Sequence, residues 1–378
     1  MNLLYSDVED GLRAAVRAAL ADRSPHPAVL ARIEGAQPYD PALWRLLAAE
    51  LGVAGLLVPE RLGGQGASAR EAAVVLEELG RAVAPTPFLG SAVLAVSALL
   101  CCDTADPAVA GLLGRLASGR AAGALTVPLA AVPGSAFPGS VRAEGNDTAG
   151  WRLAGRVTTV ADALGADVLV VAALGPDGPA LFEVAAADAD VAAFSSLDLT
   201  RPLSDVALAA APARRLPAAD PAAALDGALL TGAGLLASEQ VGVAQWCLDE
   251  TVRHLGQRHQ FGRVLGSFQA LKHRLADVWL DVLSARAAAR AAADALARDP
   301  AAASADTAVA VAVAASYASE AAVRAAEEAV QLHGGIGMTW EHPAHLYLKR
   351  AKADAIALGT PGRHRARLAE LVDLPAPA

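Results

Sequence analysis

Two changes of sequence pattern, near residues 122 and 221, divide this chain of 378 residues into three parts. Apolar residues recur at helical spacing in residues 1–121 and 219–378, whereas residues 122–218 hold short β-favouring runs separated by glycine and proline turns. No crossover helix fits between those runs, which argues against a Rossmann-type parallel sheet. The order predicts an α+β protein with an N-terminal α-helical domain, a middle antiparallel, barrel-like β-domain and a C-terminal four-helix bundle.

Capping signals mark helix starts in the first part. Ser6 with Glu9, and Ser68 with Glu71, have the three-residue spacing of a capping box, in which each side chain bonds the other residue's backbone N–H. The further elements expected along the chain are helices at Leu89–Leu100 and Pro107–Ser118; strands at Ala122–Leu129, Trp151–Val160, Asp167–Leu174 and Ala180–Ala185, in a part that ends near Leu216; and long bundle helices at Leu225–Gln257, Phe268–Ala297, Ala302–His333 and Glu341–Leu371.

Charge and cysteine content exclude several classes of protein. Lys and Arg total 31 while Asp and Glu total 40, so the net charge of −9 offers no basic surface for nucleic acid. Three cysteines without ligand spacing predict neither a disulfide framework nor a zinc site. The longest nearly apolar run, Leu89–Cys102, is shorter than the roughly 20 residues of a membrane-spanning helix. We expect a cytoplasmic protein that binds neither nucleic acid nor a membrane.

The sequence lacks the common nucleotide and hydrolase motifs, namely GxxxxGK[ST], a strand-following GxGxxG, HExxH and GxSxG. Two stretches of the bundle stand out instead. RHQFG at 258–262, with Gln269 beyond it, could present a guanidinium and an amide to a diphosphate. QLHGGIG at 331–337 has three glycines that would let a ligand approach closely. Taken singly, an ordinary helix-turn-helix corner and a helix C-cap remain the simpler interpretations.

Taken together and in order, these stretches give the chain a resemblance to the acyl-CoA dehydrogenases of the flavin-dependent superfamily. The resemblance runs nearly from end to end. Its motifs are Gly63-Gly64, Glu77-Glu78-Leu79-Gly80, Gly150-Trp151-Arg152-Leu153-Ala154-Gly155, RHQFG at 258–262, GSFQ at 266–269, QLHGGIGMTWEHPAHLYLKRA at 331–351 and the final Gly359-Thr360.

The resemblance implies a tetrameric flavoprotein of lipid catabolism that dehydrogenates an acyl-CoA thioester and passes electrons to an electron-transferring flavoprotein. It also implies FAD, shared between two subunits. By residue match, the FAD contacts would be Thr126 at the flavin ring; Arg258, Phe261 and Gln269 at the pyrophosphate and adenine half; Gln331, Gly334 and Gly335 toward the FAD of a neighbouring subunit; and Thr360 close to the cofactor.

One departure from the family concerns the catalytic base, the glutamate that removes the substrate's α-proton. The family usually carries glutamate directly before the final Gly-Thr, where this chain has Leu358. Some branches carry it on the first bundle helix, and counting back from RHQFG puts that position at Gly232. The nearest carboxylates are those of Asp226 and Glu239. Glu239 is a candidate for a relocated base, although a carboxylate facing solvent or a neighbouring helix is the simpler interpretation.

The middle part and the histidines also depart from an expected site. The glutamate often found after the flavin-binding threonine is Val127 here, and the strand that usually gives tryptophan and threonine to the flavin reads TTVA at 158–161. His333, His342 and His345 could suggest a metal with Glu341, but their run matches the family's ordinary helix start. We therefore predict no metal site.

Three hypotheses about function stay open. The first is a subunit of a hetero-oligomer that contributes FAD contacts while a sister acyl-CoA dehydrogenase subunit supplies the glutamate, as in some bacterial enzymes for ring-bearing acyl-CoAs. The second is a self-sufficient homotetramer with a relocated base. The third is a relative of the same fold that no longer dehydrogenates and has a structural or an oxygenase role.

Overall fold

The structure is a computed structural model that describes residues 3–35, 37 and 39–375. Ahead of residue 122 the chain is helical. Its helices are α1 (Asp7–Arg23), α2 (His26–Ile33), α3 (Pro41–Arg45), α4 (Ala69–Ala82), α5 (Val96–Leu100) and α6 (Pro107–Ala117). π-Helical turns at Leu46–Glu50 and Phe88–Ala95 follow α3 and precede α5, and 3-10 turns lie at Val53–Gly55 and Glu60–Leu62. Both predicted capping boxes are confirmed at the starts of α1 and α4.

Seven strands form the middle sheet: β1 (Gly123–Thr126), β2 (Val141–Asn146), β3 (Gly150–Ala161), β4 (Val168–Gly175), β5 (Gly178–Ala185), β6 (Asp190–Phe194) and β7 (Leu203–Leu216). Pairing runs from β4 through β2, β3, β7 and β5 back to β4, so the sheet closes on itself as a barrel. Most pairs are antiparallel, as predicted, but β1 and β2 both run parallel to β4. Closure leaves few unpaired strand edges within this part of the chain.

Three of these strands, β2, β6 and β7, are missing from the sequence-based prediction, which gave four runs. The largest omission is β7, whose alanine-rich sequence has low strand propensity. It forms because β3, β5 and β6 all pair with it, so neighbouring strands supply the hydrogen bonds. Strand β7 ends at Leu216, the residue near which the sequence analysis expects this part to end.

The last part of the chain is again helical, with α7 (Pro221–Gln257), α8 (Gln269–Arg298), α9 (Ala305–His333), α10 (Ala344–Asp354) and α11 (Pro361–Leu371). Between α7 and α8 a small hairpin pairs β8 (His259–Gln260) with β9 (Arg263–Val264), and a 3-10 turn, Leu265–Ser267, leads into α8. A second 3-10 turn, Gly334–Met338, follows α9. The domain limits 121/122 and 218/219 fall in connections where helix changes to strand and back, and positions 376–378 of the third domain lie outside the described residues.

The prediction of one helix over Glu341–Leu371 is wrong, because the chain breaks between α10 and α11. Leu358 and Gly359 have φ values of 54° and 112°, in the left-handed region that ends a helix. Thr360 then caps α11, with Pro361 at its first position. The fourth member of the bundle therefore consists of two helices, and the bend places residues 355–360 against the middle sheet, where the Leu358 N–H donates to the Leu129 carbonyl at 2.7 Å.

Helix α7 is the central element of the core. By length and composition, α7 and the segment Ala305–Met338 could each cross a membrane, but 78% and 56% of their most apolar windows are buried inside the protein. They pack against each other and against α8, and α7 also packs on α4. The apolar surface that looks like a membrane span is thus covered by other helices of the same chain.

The crossing of α4 and α7 depends on two glycines without side chains. A Cβ at Gly80 would overlap the Glu239 carbonyl oxygen, and a Cβ at Gly242 would overlap the Glu77 carbonyl oxygen. Because these neighbours are backbone atoms, which cannot rotate away, the two helices can lie this close only with glycine at both positions.

We predict that Gly242→Ala lowers the free energy of unfolding by roughly 2 kcal/mol or more, because it forces the helices apart. Gly256→Ala is the matched control on the same helix, where no atom lies within 4 Å of the added methyl group. It should leave stability unchanged or raise it by up to about 1 kcal/mol through helix propensity. Urea unfolding of both variants tests this, and equal effects of the two substitutions would contradict it.

Candidate cofactor site and the charges behind it

The two bundle stretches singled out in the sequence lie side by side. RHQFG at 258–262 follows α7, and QLHGGIG at 331–337 spans the end of α9. The ring of His254, in the last turn of α7, lies 4.3 Å from the ring of His333, measured between centroids. Residues far apart in sequence thus form one surface at the end of the bundle.

The predicted nucleotide contacts on this surface all face solvent. The exposed set is Arg258, Phe261, Gln269, Gln331, Gly334 and Gly335. Phe261 is 84% exposed at the tip of the β8–β9 hairpin, beside Gly262. Among the described residues, the side chains of Arg258, Gln269 and Gln331 form no hydrogen bond within the chain, so a cationic fork and two amides are free for a ligand.

The strand expected to face the flavin ring lies at a different place, where the sheet meets α10. A cavity of about 300 Å³ is formed there. Its lining includes Thr159, from the strand expected to face the flavin, together with Leu129, Ala130, Ile356 and Ala357. The cavity is mostly apolar and within the size range of ligand sites, so it can hold a flat ring system. Helix α10, with eleven residues and a length of about 16 Å, separates this cavity from the surface formed by 258–262 and 331–337.

Thr126 and Thr360 differ in how free their hydroxyl groups are. Thr126 ends β1, is 1% exposed, and its hydroxyl has no hydrogen-bond partner in the described part of the chain. A buried hydroxyl without a partner costs stability, which a ligand hydrogen bond would recover. The Thr360 hydroxyl instead accepts from the Arg363 N–H at 3.4 Å and caps α11.

These observations fit FAD better at its nucleotide half than at its ring. At Gly334, where φ is 63°, and at Gly335, no atom lies within 4 Å of a would-be Cβ, so a ligand can approach the backbone closely. Arg258, two free amides and this bend supply donors for phosphates. Thr126 does not line the cavity described above, although its buried hydroxyl is a suitable donor or acceptor, and Thr159 in the lining offers only a small side chain.

Both positions where the family carries its glutamate are apolar here, and they touch each other. Leu358 is fully buried, and its Cδ1 lies 3.0 Å from where a Cβ on Gly232 would be. Leu94 packs into the same spot. Both positions are therefore filled by packed apolar groups, Leu358 and Leu94 against Gly232, with no carboxylate at either.

Glu239 lies in a buried cluster of charges and not at a surface. Arg201 Nη2 donates to both Glu239 oxygens at 2.5 and 2.6 Å, and Arg350 also donates to Oε1. Arg350 further bonds Asp198 and Thr200, each at 2.6 Å. Glu239 is 1% exposed, so the interpretation of a solvent-facing carboxylate is wrong, although one partner, Arg350, does lie on the neighbouring helix α10.

The charges around Glu239 keep it ionised but leave neither of its oxygens free to take a proton from a substrate. Burial alone would raise the pKa of Glu239, yet Arg201 and Arg350 outweigh burial and hold its pKa below the usual value. A general base needs a lone pair directed at the proton it removes. Both oxygens of Glu239 point at guanidinium groups, so this geometry favours a structural role that joins the β6–β7 connection to α7 and α10.

Asp354 is the least compensated group of this cluster. It accepts from Arg201 Nη1 at 2.5 Å, while its other oxygen has no partner among the residues described. Burial raises the pKa of Asp354 to about 7, which Arg201 opposes and the negative charge of Glu239 reinforces. Asp354 therefore binds a proton in the folded protein at pH values where an ordinary aspartate has lost it.

The histidines group differently from the sequence-based expectation. His333 and His342 come together with Glu250, not Glu341, and their ligand atoms lie within 4.8 Å of one another. His345 instead packs edge-on against Trp340, with ring centroids 4.5 Å apart. His342 accepts from the Ala344 N–H, which leaves its Nε2–H facing Glu250, and Glu250 also accepts from Arg253. Hydrogen bonds occupy Glu250 and His342 Nδ1, whereas His333 Nε2 has no partner among the described residues. The expectation of no metal stays a prediction.

Comparison with known proteins decides the family. Residues 6–119 match the family model described as "Acyl-CoA dehydrogenase, N-terminal domain" and residues 223–372 match "Acyl-CoA dehydrogenase, C-terminal domain". The chain belongs to the acyl-CoA dehydrogenase family. FAD is accordingly its cofactor, and its relatives indicate an oxidoreductase that acts on acyl-CoA.

The relatives and solved structures matched extend over the whole chain. "Acyl-CoA dehydrogenase IpdE2" of Mycolicibacterium smegmatis is 38% identical over 96% of this chain and 98% of its own length, and the protein of that name from Mycobacterium tuberculosis is 37% identical over 93% and 92%. A chain of the ChsE4-ChsE5 complex of Mycobacterium tuberculosis superposes with a TM-score of 0.86 at 31% identity, over 100% of this chain and 100% of the matched one. A variant of the Tcur3481-Tcur3483 steroid ACAD gives 0.83 at 31% identity over 97% and 98%.

We predict that Asp354 makes stability depend on pH with a negative slope. Because its folded pKa lies above the ordinary value near 4, the folded protein holds an extra proton between about pH 4 and 7, and stability falls as pH rises through that window. Urea unfolding at pH 5 and 7 should therefore show wild type losing up to about 1 kcal/mol per pH unit relative to Asp354→Asn. Asp306→Asn, which removes an exposed carboxylate from the start of α9, is the control; parallel pH curves for wild type and Asp354→Asn would contradict the prediction.

Proposed function

We propose that this chain is the glutamate-lacking subunit of a hetero-oligomeric acyl-CoA dehydrogenase. It contributes FAD contacts, and a sister acyl-CoA dehydrogenase subunit supplies the base. The observation that carries the proposal is the packed contact between Leu358, Gly232 and Leu94, which fills the place of the base with apolar side chains.

The chemistry of dehydrogenation explains why that contact matters. The α-proton of a thioester is weakly acidic, so a carboxylate must remove it while donors polarise the carbonyl oxygen. FAD accepts the hydride from the β-carbon when it is bound. Removing the carboxylate leaves the first half of the reaction without a base, yet Arg258, Gln331 and the Gly334-Gly335 bend keep the means to bind the nucleotide.

Two further observations support a shared assembly. The predicted nucleotide contacts face solvent at one end of α10, whereas the ring cavity lies at the other end. Such a separation suits a cofactor whose ring and nucleotide are held by different chains. In addition, the matched ChsE4-ChsE5 structure is named as a complex of two different proteins.

The substrate and the electron acceptor of this assembly belong to the proposal as well. One matched structure is described as a steroid ACAD, which supports a ring-bearing acyl-CoA as substrate. We propose an electron-transferring flavoprotein as acceptor, following the resemblance to the family. The alternative of a homotetramer with Glu239 as base requires a carboxylate that now bonds two arginines to turn toward substrate.

Co-expression tests the need for a partner. We predict that the chain purified alone shows no bleaching of flavin absorbance by acyl-CoA, and that co-expression with the acyl-CoA dehydrogenase-like product of a neighbouring gene restores it. Native mass spectrometry reads subunit composition and the number of FAD molecules per assembly. A stable homotetramer that turns over acyl-CoA by itself would overturn the proposal.

The nucleotide contacts can be tested without turnover. Arg258→Ala should weaken FAD binding by about tenfold or more, because it removes a charge-assisted hydrogen bond to phosphate. Arg298→Ala is the control, since Arg298 is an exposed arginine at the far end of α8 that pairs with Asp294. FAD fluorescence titration of the intact assembly measures both; equal affinities for the two variants would remove Arg258 from the site.

A further inference from the structure

Three imidazole rings join the two segments that carry the predicted nucleotide contacts. His254 lies four residues before Arg258, and His333 directly precedes Gly334. The ring centroid of His333 lies 4.3 Å from that of His254 and 4.3 Å from that of His342. His333 is thus the central ring of the stack. It contacts His254 of α7 on one side and His342, in the connection before α10, on the other.

Rigid aromatic neighbours hold this stack in place. Trp246 lies 6.4 Å from His342 and stacks flat on Tyr347, with ring centroids 3.6 Å apart. The Tyr347 hydroxyl donates to the Arg81 carbonyl at 2.7 Å, at the end of α4. Because these neighbours are fixed by the core, the rings of the stack have a defined position relative to the helices.

The hydrogen bonds of His333 select its neutral form. Its Nδ1 lies 2.6 Å from the Ala329 carbonyl oxygen, which can only accept, so Nδ1 carries the proton. His333 is 5% exposed, and its Nε2 is buried without a partner in the part of the chain that the structure describes. A second proton on Nε2 would be buried without an acceptor, so protonation would break the packing.

The titratable groups that face His333 are Glu250 and His254 of α7 and His342 from the connection to α10. Arg253 pairs with Glu250, and the charge of Arg258 acts on His254. Burial lowers the pKa of His333 to about 4; Glu250 opposes this shift, and His254 and His342 add to it. The ring is therefore uncharged at neutral pH.

We propose that His333 is a positioning residue for FAD: as a neutral ring stacked on His254 and His342, it holds the hairpin at 258–262 and the bend at 331–337 in the relative position that binds the nucleotide. The proposal rests on the FAD contacts proposed above for these two segments. It assigns His333 no contact with the cofactor, since the side chain acts through its two neighbours. Protonation of the ring would separate the segments and lower the fraction of chains competent to bind FAD.

The test compares two variants of His333 in the intact assembly. His333→Phe keeps a stackable ring that cannot be protonated, whereas His333→Leu keeps a similar volume without the ring. At pH 7.5 we expect the Phe variant to bind FAD within about twofold of wild type and the Leu variant about tenfold more weakly. His273→Phe, on the exposed face of α8, is the control and should match wild type.

The pH profile separates positioning from general destabilisation. Because the pKa of His333 is about 4, the FAD dissociation constants of wild type and His333→Phe should keep a constant ratio from pH 7.5 to 5.5 and diverge only below about pH 5, where that of wild type rises more, by at most about tenfold per pH unit. Profiles that stay parallel down to pH 4, or a Leu variant that binds as tightly as wild type, would overturn the inference. If wild type binds no FAD in any assembly, the proposed function fails instead, so the two failures are distinguishable.

Discussion

Two buried arginines, Arg201 and Arg350, join the middle part of the chain to the C-terminal helices. They neutralise carboxylates from the β6–β7 connection, α7 and α10, and every charge lies out of water. Removing one partner of such a set costs roughly 3–5 kcal/mol, because the remaining charge stays buried without compensation. The same cluster forms one wall of the ring cavity, since Arg201 and Asp198 both line it. The wall of this cavity and the contact between the middle part and the C-terminal helices therefore depend on the same few charges.

Replacement of glutamate by leucine changes more than one chemical group. A carboxylate at position 358 would need water or a substrate proton nearby, whereas Leu358 closes the space by packing on Leu94 and Gly232. A substitution back to glutamate would bury an unpaired charge in an apolar contact, which is unfavourable. The chain has thus exchanged a reactive position for a packed one, while the exposed surface at 258–262 and 331–337 keeps its polar groups.

Local signals in the sequence predicted local structure well. Capping boxes act over a few residues, so their spacing alone located the starts of α1 and α4, and helical spacing after residue 221 located α7, α8 and α9. The changes of pattern along the chain predicted the order of the three parts, and the family resemblance added the FAD contacts predicted at Arg258 and Gln331. Strand β7 was missed because its stability comes from three neighbouring strands. The break at Leu358 was missed although Gly359 and Pro361 are residues that typically end one helix and begin the next.

The environment of Glu239 could not be predicted for a similar reason. Its partners Arg201 and Arg350 lie 38 and 111 residues away, and only the folded chain brings them together. One signal was available: a single acid within the apolar run LLASEQVG at 235–242 has little chance of reaching water from a central helix. Such an isolated acid indicates a buried partner, although it does not identify that partner.

Helix α10 lies between the proposed ring cavity and the proposed nucleotide contacts at 258–262 and 331–337, and it is one continuous helix over Ala344–Asp354. It therefore fixes both the distance and the rotation between its two ends. Inserting or deleting one residue would turn one end relative to the other by about 100° and shift it by about 1.5 Å. Tolerance to such length changes should thus be lowest in α10, while the surface loops of the middle barrel can change length without altering the spacing of the two half-sites.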